Sequence, residues 1–201
     1  MQFHKLISFV FHPIIIPITS SLLYFILIPN HIPKGVSYRV LGFIFIITYI
    51  IPVVLLFILR KVKLIEDYHL VSIQERKFPI VFFTILSFLL GNLLLKIGVV
   101  NLLAYSFFGS ALALGIVYVL FYLNIKTSLH TLAIAGLIGL IIIISITYEF
   151  NLLLLLISLF ILIGIVATSR LQLKAHTLPE VVIGFFVGIL TQLSMYYFYT
   201  I

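Results

Sequence analysis

Residues 150–180 read FNLLLLLISLFILIGIVATSRLQLKAHTLPE, an uncharged apolar run followed by a short segment with two basic residues, one histidine and one glutamate. A run of about 20 apolar residues is long enough to cross the hydrocarbon core of a bilayer as an α-helix. An α-helix also satisfies its own backbone hydrogen bonds, which lipid cannot do for it. The stretch therefore predicts a transmembrane helix over residues 150–168 that ends in a polar segment, 169–180.

The composition of the whole chain extends this prediction. Of its 201 residues, 64% are hydrophobic and 8% are charged, and the mean hydropathy is +1.36. Such a chain has too little polar side chain to cover a water-facing surface, so a soluble domain is excluded. The chain has no cysteine, which excludes disulfides and thiolate metal sites. Its basic residues lie in short loops between apolar runs, where they set topology or meet lipid headgroups, so nucleic acid is not an expected partner.

Similar apolar runs recur along the chain and predict an all-α fold, a polytopic bundle of transmembrane helices in one domain over residues 1–201. Pro13 and Pro17 remove helix hydrogen bonds and should kink the first run or make it partly re-entrant. Gly98 marks a turn inside a run that is too long for one helix. About seven apolar segments result, with approximate bounds 1–28, 36–59, 80–96, 101–123, 131–146, 150–168 and 181–197.

Three polar segments between these runs are related by the number of helices that separate them. The longest, 60–79, is expected to lie at the membrane surface, and the other two are 124–130 and 169–180. Two predicted helices separate the first segment from the second, and two more separate the second from the third. All three segments are therefore predicted to lie at the same membrane face, where they could form one site.

The residues of segment 169–180 resemble a known motif. Ser169 and Arg170, followed after five residues by His176 and after three more by Glu180, resemble the third motif of the type 2 phosphatidic acid phosphatase family. In that family the last position is usually aspartate. The segment leads into an apolar run, as the motif does in the family.

The other two segments are similar to the remaining motifs of the same family. Residues 128–130, Ser-Leu-His, resemble the end of the second motif, usually Pro-Ser-Gly-His, with Leu129 in place of glycine. Residues 69–79 resemble the first motif, a lysine followed seven positions later by Arg-Pro. His69 stands at the lysine position, Arg76 at the arginine position, and Pro79 is displaced by two residues.

The resemblance covers about residues 67–201 and carries several implications. It implies a core of six helices and a membrane-embedded phosphatase that needs no metal or other cofactor. The implied substrate is a lipid phosphate or pyrophosphate in the bilayer, such as phosphatidate, phosphatidylglycerophosphate or a polyprenyl pyrophosphate. It also implies the cytoplasmic membrane of a bacterium, with the site generally on the outer face, whereas the excess of lysine and arginine on the motif face predicts a cytoplasmic site.

The chemistry of these side chains independently fits the binding of a phosphate ester. Arg76 and Arg170 can hold phosphate oxygens through bidentate, charge-assisted hydrogen bonds, and Lys126 adds a third positive charge. Ser128 precedes an apolar run, so the backbone N–H groups of the following helix can also face an anion. Ser128 and Ser169 are therefore included among the predicted phosphate-binding residues.

The two motif histidines can carry the hydrolysis itself. Neutral His176 would attack phosphorus to form a phosphohistidine, while protonated His130 would give its proton to the leaving alkoxide. Glu180 would orient the ring of His176 and stabilise its charge. Water activated by His130 would then release phosphate.

Three of these site residues also have a structural interpretation. Thr177 and Glu180 match the pattern of a helix-capping box. His130 could be a histidine satisfied at a helix interface, and Arg76 could be a charge that sets topology at the headgroup boundary.

Other residues match no catalytic motif. Gly184 and Gly188 form a Gly-x-x-x-Gly pair, which is typical of close helix packing. His4, His12 and His31 match no partner pattern and are expected to have structural roles.

Two further functions stay open from the sequence. One is a non-enzymatic relative of the family that binds or moves an anionic lipid with the same basic loops, which the departures in the first two motifs favour. The other is an ion or proton transporter, but such a pathway usually places ionisable residues near the middle of the membrane, and the apolar runs here have almost none.

Overall fold

The computed structural model describes residues 1–28, 32–68, 70 and 72–200. In these ranges the chain is all-helical and contains no β-strand, which confirms the predicted fold class. The helices are α1 (Gln2–Val10), α2 (Ile16–Leu27), α3 (Lys34–Phe45), α4 (Ile51–Lys61), α5 (Ile73–Ile97), α6 (Asn101–Tyr122), α7 (Leu129–Thr147), α8 (Leu153–Gln172) and α9 (Leu178–Thr200). A π-helical turn, Ile46–Ile50, joins α3 to α4.

Six helical stretches of the described chain are long and apolar enough to cross a membrane. One is the continuous stretch Lys34–Lys61, and the others are α5, α6, α7, α8 and α9. The protein is therefore an integral membrane protein with a polytopic helical bundle. The helix α7 is buried along most of its length and packs against α2, α6, α8 and α9, so it is the central helix of the bundle.

The first apolar segment differs from the other six because two short helices replace one span. The helices α1 and α2 have 9 and 12 residues, and Pro13 lies in the turn that separates them. Pro17 lies in the first turn of α2, where backbone N–H groups make no hydrogen bond within the helix, so proline is tolerated there. The prolines break this segment, as the sequence predicts.

The second half of this segment runs beside α7. The ring of His12 contacts that of His130 at the start of α7, and Tyr24 lies close to Tyr148, just after the end of α7. The helix α1 therefore stays at the end of the bundle where α7 begins.

The start of α5 differs from the sequence prediction, which places residues up to 79 in a surface segment. The helix begins at Ile73 because Ser72 and Glu75 form a capping box: the backbone N–H of Glu75 donates to Ser72 Oγ, and that of Ser72 donates to Glu75 Oε2. Arg76 consequently lies in the first turns of a spanning helix, and Pro79 lies inside it.

Two glycine features are confirmed. Gly98 ends α5 with a φ of +76°, a left-handed conformation that glycine adopts without strain, and the chain turns there into α6. Gly184 and Gly188 let α9 approach α7 closely, since a Cβ added at Gly184 would lie 2.6 Å from the carbonyl oxygen of Ser128, and one added at Gly188 would overlap the carbonyl oxygen of Leu132. This close approach brings the start of α9 against the start of α7.

Candidate active site

The three polar segments meet at one end of the bundle, as the helix count predicts. Arg76 Nη1 donates to the carbonyl oxygen of Thr127 at 3.4 Å, and Lys126 Nζ donates to that of Ala175 at 3.4 Å. The backbone N–H of Ser128 donates to the carbonyl oxygen of Glu180 at 3.1 Å. Direct contacts therefore join the start of α5 to the loop before α7, and that loop to the segment between α8 and α9.

Arg76 is buried, with 6% of its surface exposed. Its Nε donates to the carbonyl oxygen of Leu70 at 2.7 Å, in addition to the bond to Thr127. A buried guanidinium needs hydrogen-bond acceptors to offset the loss of water, and two backbone carbonyls supply them. Arg76 is consequently fixed at the site, whereas His69, the other predicted element of this motif, lies outside the described residues.

His176 and Glu180 form the most defined pair of the site. The Nδ1–H of His176 donates to Glu180 Oε2 at 2.8 Å, and the same oxygen accepts the backbone N–H of Thr177 at 3.1 Å. Glu180 therefore both caps α9 through the N–H of Thr177 and holds the ring of His176. Because Nδ1 carries the proton, the lone pair of His176 is on Nε2.

The environment of His176 favours its neutral form. Burial lowers the pKa of His176, the hydrogen bond to Glu180 opposes this, and the positive charges of Arg76 and Arg170 lower the pKa further. The net direction is downward because burial is the largest effect. A neutral imidazole is the form that can act as a nucleophile.

Lys126 shares this electropositive environment. Burial lowers the pKa of Lys126, the charge of Arg76 lowers it further, that of Glu180 raises it, and that of Arg170 lowers it again. The cations of Arg76, Lys126 and Arg170 are thus close enough to repel one another, with the carboxylate of Glu180 among them. An anion bound at this point would relieve their repulsion.

The hydroxyl groups at the start of α7 are buried. Thr127 and Ser128 are both 0% exposed, and Ser128 is the N-cap residue of α7 without a capping bond from its side chain. Within the described part of the chain, the Oγ atoms of both residues have no hydrogen-bond partner. Buried polar atoms usually have partners, so these two are suited to a ligand.

Ser169 and Arg170 lie in the last turn of α8 rather than in a loop. The hydroxyl of Ser169 donates to the carbonyl oxygen of Ile165 at 2.9 Å and accepts from His4 Nδ1 at 3.1 Å. Arg170 Nη1 donates to Ser8 Oγ at 3.2 Å. The buried Nε of Arg170 has no partner among the described residues.

His130 is the second residue of α7 and is buried. Its Nε2–H donates to the backbone carbonyl oxygen of Ser8 at 3.0 Å. Its ring also meets that of His12 edge-on, with the ring centroids 5.5 Å apart. Both contacts come from the N-terminal segment rather than from another motif.

The contribution of α1 is missing from the sequence prediction. His4, Ser8 and His12 contact Ser169, Arg170 and His130, so the two histidines are not the unconnected structural residues that the sequence suggests. The spacing of four residues from His4 to Ser8 and from Ser8 to His12 is the signal that could have identified this face. The third such histidine, His31, lies outside the described residues.

No family model, curated protein or solved structure matches the chain. In the ranges that the structure describes, no group of three or more His, Asp or Glu side chains could hold a metal ion.

Proposed function

We propose that the protein is an integral membrane phosphatase that hydrolyses a lipid phosphate or pyrophosphate through a phosphohistidine, as its motif residues suggest by their resemblance to the type 2 phosphatidic acid phosphatase family. The observation that carries this proposal is the arrangement of His176. Its Nδ1 is held by Glu180 at 2.8 Å, and its environment includes Arg76 and Arg170. A histidine oriented by a carboxylate beside two arginines is suited to attack a phosphorus atom that those arginines hold.

In the first step, Nε2 of His176 attacks phosphorus and forms a P–N bond. The P–O bond to the lipid breaks, and its electron pair leaves with the lipid oxygen. His130 gives a proton to that oxygen, so the leaving group departs as an alcohol, or as a phosphate monoester from a pyrophosphate. Arg76, Arg170 and Lys126 stabilise the negative charge on the transferred phosphoryl oxygens.

In the second step, water attacks the phosphohistidine. His130, now neutral, takes a proton from the water, the P–N bond breaks, and its electron pair returns to Nε2 of His176. Inorganic phosphate is released, and both histidines regain their starting protonation states. Glu180 stabilises the positive charge that His176 carries while phosphorylated.

An apolar surface beside the site supports a lipid substrate. Phe78 and Leu178 are 56% and 61% exposed and lie in the first turns of α5 and α9, close in sequence to Arg76 and His176. A lipid tail could reach the site sideways from the bilayer along such helix faces. The cytoplasmic membrane of a bacterium is the proposed location.

The membrane face of the site is tested by one substitution. Lys174 is exposed next to the site, and the chain contains no cysteine, so Lys174→Cys introduces a single thiol. Labelling of intact cells by a membrane-impermeant maleimide supports the outer face that the family resemblance implies. Labelling only after lysis supports the cytoplasmic face that the charge distribution favours.

The activity is tested by measuring phosphate release from purified protein with phosphatidate, phosphatidylglycerophosphate and a polyprenyl pyrophosphate, with a chelator present. We expect release from at least one lipid, and a loss of about a thousandfold or more in His176→Ala, because the nucleophile is gone. Acid-labile labelling of wild-type protein by a ³²P-lipid would identify the phosphohistidine.

Arg39 provides a matched control for the arginines of the site. It is exposed, and its Nε bonds to the carbonyl oxygen of Gly35 at the start of α3. Arg39→Ala should retain full activity, whereas Arg170→Ala should lose about a hundredfold or more. The proposal fails if no lipid releases phosphate, or if His176→Ala is as active as the wild type.

A second candidate function is the binding of an anionic lipid without turnover. The placement of Ser8 against Arg170 and His130, two of the proposed reactive groups, favours it, as does Leu129 in place of the glycine of the family. Lipid binding that survives both His130→Ala and His176→Ala, with no phosphate release by any variant, would support this function and exclude the first.

A further inference from the structure

The helix α1 has two different faces. Its inner face, His4 and Ser8, is continued by His12 and contacts the site, and Ser8 is buried with 8% of its surface exposed. Its outer face carries four large apolar side chains that are largely exposed: Phe3 (59%), Leu6 (59%), Phe9 (76%) and Val10 (46%). An amphipathic helix of this kind is suited to the membrane interface.

Ser8 contacts both Arg170 and His130, the two side chains that are proposed to contact the substrate. Its Oγ accepts from Nη1 of Arg170 at 3.2 Å, and its carbonyl oxygen accepts from Nε2 of His130 at 3.0 Å. In the proposed reaction, Arg170 holds a phosphoryl oxygen and His130 protonates the leaving oxygen. The two oxygen atoms of Ser8 thus take the bonds that a phosphate ester would take.

A phosphate is a stronger partner for these groups than Ser8 is. The oxygens of a phosphate carry negative charge and Ser8 Oγ does not, so the guanidinium of Arg170 gains a Coulomb attraction from phosphate that Ser8 cannot supply. Phosphate could also reach the buried Nε of Arg170 and the hydroxyl groups of Thr127 and Ser128, which have no partners in the described part of the chain. An arriving phosphate is therefore expected to displace α1.

The connection to the rest of the protein permits such a movement. Residues 11–15 form the turn between α1 and α2 and include Pro13, so α1 is not continuous with a spanning helix. Its outer face already faces away from the bundle, and the bilayer interface can hold that face when the inner face is released.

We infer that α1 is a cover for the site, that Ser8 occupies the phosphate position, and that α1 docking and phosphate binding exclude each other. The inference rests on the proposed function for the assignment of Arg170 and His130 to the phosphate ester. A helix that instead completed the site would hold Ser8 beside the bound phosphate.

The experiment uses Ser8→Cys, which introduces a single thiol into an otherwise cysteine-free chain. The full-length variant in lipid nanodiscs is treated with a water-soluble maleimide, with and without orthovanadate as the phosphate analogue. Without orthovanadate we expect slow labelling. With orthovanadate the labelling rate should rise by up to about tenfold, because α1 would change from displaced in about one molecule in ten to displaced in all molecules. Phe3→Cys, on the exposed face of the same helix, should label rapidly in both conditions.

Two results with orthovanadate would overturn the inference. If orthovanadate slows the labelling of the Ser8→Cys variant, the anion and residue 8 share the site. If orthovanadate inhibits phosphate release but leaves the labelling rate unchanged, α1 does not respond to the anion. Either outcome rejects the cover.

A double variant tests the contact without any ligand. Combining Ser8→Cys with Arg170→Ala removes the partner of the side chain at position 8 and should make labelling fast without orthovanadate. Combining Ser8→Cys with Arg39→Ala should leave labelling slow. Equal rates in the two double variants would show that Arg170 does not hold α1, which also overturns the inference.

Failure of this inference and failure of the proposed function can be told apart. Phosphate release without a change in the labelling of the Ser8→Cys thiol rejects the cover and retains the phosphatase. Faster labelling with orthovanadate, but no phosphate release from any lipid, retains the cover and rejects the phosphatase in favour of an anion-binding protein.

Discussion

The first turns of α5 and α9 begin with the same pattern, a hydroxyl residue followed three positions later by glutamate. At α5, Glu75 accepts the backbone N–H groups of Ser72 and Glu66 and the hydroxyl of Ser72. At α9, Glu180 accepts the backbone N–H of Thr177 and the ring N–H of His176.

The two caps differ in what the carboxylate does besides starting the helix. Glu75 bonds Glu66 and Ser72 to the start of α5. Glu180 holds a histidine that immediately precedes its helix. The same local pattern thus starts a helix in one place, and in the other it also holds the ring of a proposed nucleophile.

The largest expected effect is a loss of phosphate release when Glu180, at the start of α9, is substituted. Glu180→Gln keeps the size of the side chain but removes the charge that is proposed to stabilise phosphorylated His176, so phosphate release should fall by about 10- to 100-fold. The measurement is kcat/KM on the best lipid substrate. Glu149→Gln, in the turn between α7 and α8, should have wild-type activity, and equal activity in Glu180→Gln would remove the orienting role.

A methyl group at Gly184 should separate the α9 cap from the site. Its Cβ would lie 2.6 Å from both the carbonyl oxygen of Ser128 and Thr131 Oγ1, so α9 must shift. We expect a loss of about 1–3 kcal/mol in stability and lower activity. Thermal unfolding in detergent and phosphate release measure both effects.

The matched control for that change is Gly164→Ala. Nothing lies within 4 Å of the added Cβ at Gly164 in α8, and alanine favours helix more than glycine does. This variant should be at least as stable as the wild type. If Gly184→Ala is equally stable and active, close packing of α9 on α7 does not position the site.

The cap of α5 should affect stability more than chemistry. Glu75→Gln weakens a capping box, for which a loss of about 1 kcal/mol is expected. The stability change should appear in thermal unfolding, while kcat/KM stays within about twofold because Glu75 orients no proposed reactive atom. A loss of activity as large as that of Glu180→Gln would show that the two caps have the same role.

The smallest expected effect is a shift in the pH dependence. Burial lowers the pKa of His176, and the bond to Glu180 opposes this, so the activity should persist below the ordinary histidine pKa of about 6.5 and fall only at lower pH, where His176 becomes protonated. In Glu180→Gln the opposing effect is lost, and the acid limb of kcat/KM should move to still lower pH. The ionisation of the lipid is the same for both proteins, so a shift toward higher pH would contradict the assignment.

Much of the fold follows from hydropathy alone, because only helices of sufficient length can satisfy the backbone in lipid. The boundaries are less predictable. The surface segment is predicted to end at residue 79 because Glu75, Arg76 and Lys77 are charged, yet the capping box of Ser72 begins α5 six residues earlier than Pro79. A charged residue near the end of a spanning helix can reach the interface, so charge does not mark the first helical residue.

The convergence of the predicted site residues follows from counting helices between polar segments. The contacts from Arg76 to Thr127 and from Lys126 to Ala175 confirm that count. The roles of these residues stay proposals, to be decided by the activity measurements. Counting helices could not assign α1 to a membrane face. A helix of nine residues is too short to span the bilayer, so it can lie at either face.

The sequence by itself determined that the protein is a helical membrane protein and that its three polar segments, 60–79, 124–130 and 169–180, lie at one end, since both follow from apolar run length and the number of crossings. Only the tertiary structure decided that Ser8 lies between Arg170 and His130 and that Glu180 serves two partners at once. Such contacts join residues up to 162 positions apart, and they depend on how helices pack and rotate against each other, which the hydropathy of each helix does not specify.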